Sequence, residues 1–108
     1  MDTRKRLAAL RRTLARERIG AMLISSVPNV SYMTGFTGDD SLALVTPDRK
    51  YVITDFRYVE QVEHECPGWT IVEHKGGLWA SAADALKRRR VRKLGFESAH
   101  LTHRSWRP

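Results

Sequence analysis

Arg57 and Tyr58, preceded by Asp55, are the side chains of this chain whose chemistry could meet a ligand, and the acidic pair Asp39-Asp40 follows the glycines of a loop. The Arg57 guanidinium is a planar fork of donors that fits a carboxylate, so it can pair with Asp55 or grip the carboxylate of a substrate. Asp55 stands where a strand turns into a helix. There its carboxylate can cap the helix by accepting backbone N–H bonds and meeting the positive end of the dipole. Tyr58 reads as half-buried packing with its hydroxyl at a rim. Other chemistry is harder to build. Of His64, His74, His100 and His103, only the last two have helix-like spacing, and no third ligand stands near them, so no metal site is expected. Cys66, beside Pro67, lacks an activating partner and reads as a small buried residue. No G-x-S-x-G nucleophile motif occurs. No catalytic residue is therefore assigned.

The elements that would hold these residues follow from periodicity. Leu7, Leu10 and Leu14 mark one stripe of a helix that Asp2 or Thr3 can cap and that runs to about Arg18, with Gly20 placed to end it. Ala21 to Ser25 reads as a buried strand, and Asn29 to Met33 as a short helical turn broken by Gly35 and Gly38. Ser41–Thr46 and Tyr51–Thr54 are strands joined by Pro47-Asp48-Arg49-Lys50, which implies an antiparallel hairpin. Residues 57–65 read as a helix with Val59 and Val62 inward and Glu60, Glu63 and Glu65 outward. Trp69–Glu73 is a strand, Leu78–Arg89 a helix with Leu78, Ala82, Ala85 and Leu86 inward, and Val91–Glu97 the last strand. Trp69 suits packing, and Trp79, at a helix start, suits an interface. Thr102 looks like the cap of a further helix carrying Trp106, so the chain is expected to be cut rather than finished. This order predicts an α/β fold: a mixed sheet with an antiparallel hairpin, flanked by helices on both faces.

Composition sets the outer bounds. At 108 residues and 42% hydrophobic content, one globular domain spanning residues 1–108 is expected. No apolar run approaches the roughly 20 residues that cross a bilayer, and the charged N-terminus precedes no apolar signal core. With one cysteine, a cytoplasmic setting is the default. The net charge of +7 comes from two clusters, one within residues 4–18 and one within 87–93. Such clusters can attract phosphate backbones. Without interleaved aromatics or a recognition motif they read as solvated helix faces, and neither nucleic acid nor membrane is expected as a partner.

The stretch N-V-S-Y-M-T-G-F-T-G, residues 29–38, then T-D-F-R-Y at 54–58, Gln61 and L-G-F-E at 94–97, resembles the creatinase/prolidase N-terminal domain of Xaa-Pro peptidases. Its structural motif is carried here by Asn29, Tyr32, Gly35, Phe36, Gly38 and Asp55. The resemblance implies the mixed-sheet domain that precedes a C-terminal "pita-bread" catalytic domain absent from this chain. It also implies a role in shaping substrate access and oligomer contacts, as in a homodimer. Arg57, Tyr58, Asp39 and Asp40 are the residues it would bring near a proline-containing peptide in the intact enzyme. Asp39 and Asp40 depart from the small residue usual in the family. The family's cofactor is a pair of divalent metals (Mn, Co or Zn) held by two Asp, one His and two Glu, none of which maps onto this chain. Dipeptidase, aminopeptidase and creatinase-like parents remain open. So does a stand-alone interaction module, or a basic nucleic-acid-binding domain.

Overall fold

The computed structural model describes residues 3–96. Five strands form one sheet in the order β4-β3-β2-β1-β5. Helix α1 (Thr3–Glu17) leads to β1 (Ala21–Ile24), α2 (Val27–Thr34), β2 (Leu42–Val45), β3 (Lys50–Thr54), α3 (Val59–Glu65), β4 (Thr70–Glu73), α4 (Leu78–Arg88) and β5 (Leu94–Phe96). The three central strands β1, β2 and β3 pair antiparallel, and the outer strands β4 and β5 are parallel to their neighbours. The mixed α/β sheet with a central hairpin is thus the fold that the residue patterns imply.

Period-two alternation divides the core in two. Met22, Ile24, Ala43, Val45 and Val52 face Leu7, Leu10 and Leu14 of α1, Val30 and Met33 of α2 and Val62 of α3. Ala21, Leu23, Leu42, Leu44 and Ile53 face α4 through Ala82, with Leu78, Ala85 and Leu86 half-buried. Three helices cover one face and a single helix the other. Trp69 packs in the first core under the Lys50 ammonium, whereas Trp79 is exposed. Cys66 is buried, and burial pushes its thiol up, away from nucleophilic use.

Local chemistry explains where the elements differ from the sequence expectations. Helix α2 is longer than the expected turn. The Ser26 hydroxyl accepts the Asn29 N–H at 3.3 Å, and Pro28 sits in the first turn, where its missing N–H costs nothing. Gly35 closes that helix at φ 86°, its N–H donating to the Ser31 carbonyl at 2.8 Å. Gly38 does not break the helix; it leaves room for Phe36. A Cβ at Gly38 would stand 2.4 Å from Phe36 Cζ, and that ring is fully buried. Gly20 does not end α1. Arg18 takes the left-handed position at φ 56°, while Gly20 enters the sheet with its N–H donating to the Lys93 carbonyl at 2.8 Å. Asn29 is buried, and Tyr32 lies under the Arg6 guanidinium at 3.9 Å, with Arg6 Nη1 donating to the Tyr32 carbonyl. The readings of Asp2, Glu97, His100, Thr102, His103 and Trp106 lie outside the described residues.

Gly38→Ala should lower unfolding stability by roughly 1–3 kcal/mol through overpacking against Phe36. Gly76→Ala, with no atom within 4 Å of the new methyl, is the control that should not show this loss. Urea unfolding of the two variants checks the difference, and equal stability would remove Phe36 from the account of this loop.

Candidate functional site

At the end of the sheet where β3 finishes, two loops meet. Residues 37–41 lead into β2, and residues 55–58 lead out of β3. The start of β2 fixes the first loop. Ser41 Oγ donates to the Asp39 carbonyl at 3.0 Å and accepts from Thr54 Oγ1 at 2.8 Å. Farther back, Thr34 Oγ1 donates to the Val30 carbonyl and accepts the Phe36 N–H, so the chain enters the loop from a closed helix end. The next residue is latched to α3. The Glu65 carboxylate accepts the Thr37 N–H at 2.8 Å and the Thr37 hydroxyl at 2.9 Å, and Gln61 Nε2 donates to both partners. These bonds, the Thr37 N–H first, hold the Glu65 carboxyl below its ordinary range.

The second loop is organised by one carboxylate. Asp55 Oδ1 accepts the Arg57 N–H at 2.9 Å and Arg57 Nε at 3.0 Å, while Oδ2 accepts Nη2 at 2.7 Å. Asp55 therefore does not cap α3. The cap position belongs to Tyr58, which makes no side-chain capping bond, and Asp55 caps the turn before the helix instead. Its side chain is 15% exposed, against 53% for Arg57. The Arg57 hydrogen bonds hold its carboxyl below the ordinary range, and the same bonds raise the guanidinium.

The loops are joined by two contacts. Arg57 Nη2 reaches Asp40 Oδ2 at 3.3 Å, and the Tyr58 hydroxyl donates a hydrogen bond to Asp39. That bond raises the phenol above its ordinary value. Asp40 lies in the left-handed region at φ 48°, which aspartate tolerates better than most residues. Beneath, the Tyr58 ring meets Phe36 edge-on with centroids 5.4 Å apart. Asp39, Asp40, Arg57 and Tyr58, separate in sequence, thus converge with Asp55 into one network. The outward reading of Glu65 is corrected, because Thr37 and Gln61 engage it. The i, i+4 spacing of Gln61 and Glu65 was the available signal. Among the described residues, no three His, Cys, Asp or Glu side chains group as a metal ion would require. Of the three nearby aspartates, Asp40 and Asp55 are held by Arg57 and Asp39 by the Tyr58 hydroxyl.

The creatinase/prolidase N-terminal domain model matches residues 6–106. The chain belongs to that family. It is 42% identical over 98 residues to an uncharacterized peptidase, YqhT, of Bacillus subtilis strain 168, covering 91% of this chain and 28% of the relative. A solved Xaa-Pro dipeptidase from Bacillus anthracis superposes with a TM-score of 0.83 at 33% identity, over 97% of this chain and 30% of that one. The N-terminal domain of the cytoplasmic peptidase PepQ from Mycobacterium tuberculosis H37Rv gives 0.80 at 32% identity, over 91% and 76%. The chain spans under a third of the curated relative's length. It is an N-terminal domain of the Xaa-Pro peptidase family, and residues 35–38 within the matched span build the loop around Phe36. No helix among the described residues is long and apolar enough to cross a membrane.

Because the folded Asp55 carboxyl is depressed, its ion pair contributes stability above the unfolded value of about pH 4 and loses it as pH falls through the folded value. Asp55→Asn should therefore be less stable than the parent at neutral pH, with the gap closing under stronger acid. Urea unfolding from neutral pH to about pH 2 follows it. A gap unchanged across that range would assign the loss to packing rather than charge.

Proposed function

We propose that this domain is the non-catalytic front of a cytoplasmic Xaa-Pro peptidase, with the Asp39–Tyr58 and Asp40–Arg57–Asp55 network facing the path of a proline-containing peptide. The reading is carried by the convergence of that network with the exposed Phe56 at one end of the sheet. Val27 and Phe56 follow the ends of β1 and β3, Trp79 lies beyond the end of β4, and Phe96 is the last residue of β5. Phe56 is 77% exposed on the turn that Asp55 and Arg57 hold rigid. An exposed aromatic beside a fixed polar cluster, with Val27, Trp79 and Phe96 exposed elsewhere, fits a surface that another domain covers.

In this reading the covering body is a C-terminal pita-bread domain, which also holds the two divalent metals, Mn, Co or Zn. When bound, the metals would activate water and polarise the carbonyl before proline. This domain supplies positioning. Asp55 and Asp40 engage Nε and Nη2 of Arg57, leaving Nη1 free among the described residues to meet a peptide carboxylate. A homodimer would bring this rim toward the partner's peptide path. The exposed Phe56 and Trp79 equally suit a stand-alone interaction module, the second reading.

The 108-residue chain, given Mn²⁺ and an Xaa-Pro dipeptide, should show no turnover above a metal-only blank; metal-dependent turnover would refute the non-catalytic role. In the longer enzyme, Arg57→Ala should raise KM several-fold with metal content unchanged. Steady-state kinetics with unaltered KM and kcat would remove Arg57 from substrate positioning.

A further inference from the structure

The opposite end of the sheet has a different character. Helices α1 and α4 both finish there, and they finish in the same way. After α1 the Ile19 N–H donates to the Leu14 carbonyl at 2.9 Å and the Arg18 N–H to Ala15 at 3.3 Å. After α4 the Val91 N–H donates to Leu86 and the Arg90 N–H to Lys87, both at 3.1 Å. Each is a Schellman turn, whose left-handed position ordinarily holds glycine. Here the two positions hold Arg18 at φ 56° and Arg90 at φ 54°. A left-handed residue with a Cβ costs on the order of 1 kcal/mol, so two exposed arginines occupy sites where glycine would be cheaper.

Topology then brings the two turns together. Because β5 lies parallel beside β1, Gly20 bonds to Lys93, and Lys93 Nζ reaches the Glu17 carbonyl at 3.1 Å. Segments 16–18 and 87–93 hold eight cations and one carboxylate. The whole chain has 19 and 12, which leaves eleven of each elsewhere. Asp84 pairs with Arg88 at 3.1 Å, which still leaves this pole with an excess of six cations. The carbonyl ends of two helices supply about one negative charge together, too little to account for eight cations. Arg18, Arg90 and Arg92 have no ion-pair partner among the described residues.

We propose that this pole binds the phosphate backbone of duplex nucleic acid without reading bases, independently of the function proposed for the other end. The absence of exposed apolar anchors selects the partner. Of the exposed large hydrophobics among the described residues, Val27, Phe56 and Trp79 belong to the opposite end and Phe96 closes the edge strand β5. Stable membrane anchoring adds apolar insertion or a lipid chain to basic charge, and protein interfaces are built around an apolar centre. Phosphate contact needs neither, because released counterions supply the affinity.

The test is fluorescence anisotropy of a labelled duplex of about 20 base pairs titrated with the 108-residue chain across a salt series. Contact with four phosphates gives a slope of log K against log salt of about −3.6. The decisive variant is Arg18→Gly with Arg90→Gly. It places glycine where glycine is preferred, so stability in urea holds or rises, while duplex affinity falls about tenfold or more. A purely structural role predicts the stability gain with affinity unchanged. Lys5→Gln with Lys75→Gln removes the same charge away from the pole and should change affinity by less than about twofold. No binding at low salt, equal loss in both pairs, or preference for polyglutamate or anionic vesicles over the duplex overturns the proposal.

Discussion

The burial of Phe36 is the constraint on which the functional end depends. Its ring is wholly inside, and an aromatic of this size contributes roughly 2–3 kcal/mol through burial. To reach that position the chain must turn sharply out of α2, which Gly35 permits, and pass over the ring, which Gly38 permits. The Tyr58 ring then rests edge-on against Phe36. Two loops from different strands are thereby registered on one buried side chain. The polar network above it has weak reason to form otherwise, since most of its members are exposed and surface ion pairs alone contribute little. Packing places the carboxylates opposite Arg57 and Tyr58, and the hydrogen bonds then fix orientation.

Much of this was legible in the sequence because it rests on local chemistry. The apolar runs Leu42–Val45 and Tyr51–Ile53 with a short connection specify a hairpin, and the Leu7, Leu10 and Leu14 stripe specifies a buried helix face. The 29–38 and 54–58 segments pointed to the family and to the loops that meet. What escaped depends on partners distant in sequence or on backbone states that residue type disguises. Asp55 looked like a helix cap because it precedes a helix; the nearer Arg57 donors win its carboxylate. Glu65 looked solvated until Thr37 arrived from 28 residues away. Gly20 looked like a helix terminator because glycine usually is, yet Arg18 accepts that conformation. No periodicity reveals that three helices cover one face and one the other.

The basic clusters show the same limit from another side. Read along the chain they are two ordinary cationic stretches, each assignable to a solvated helix. Their meaning changes when parallel pairing of β5 with β1 joins them, a contact between residues over 70 positions apart. Only the three-dimensional arrangement shows that Arg16–Arg18 and Lys87–Lys93 share one end of the sheet.

The two ends are also physically separable. A five-residue strand such as β3 holds them roughly 16 Å apart, about twice the Debye length at physiological ionic strength. Charge at the basic pole is therefore largely screened from the Arg57 network, which answers instead to its own carboxylates. Packing links the ends through the sheet, but the loop around Phe36 leads into the start of β2, at the end of the sheet where β1 and β3 finish. One end joins fixed polar geometry to exposed apolar surface, the combination an interface with another body uses. The other has charge without apolar surface, the combination a solvated polyanion uses. A single small sheet thus presents two surfaces whose chemistry need not compete.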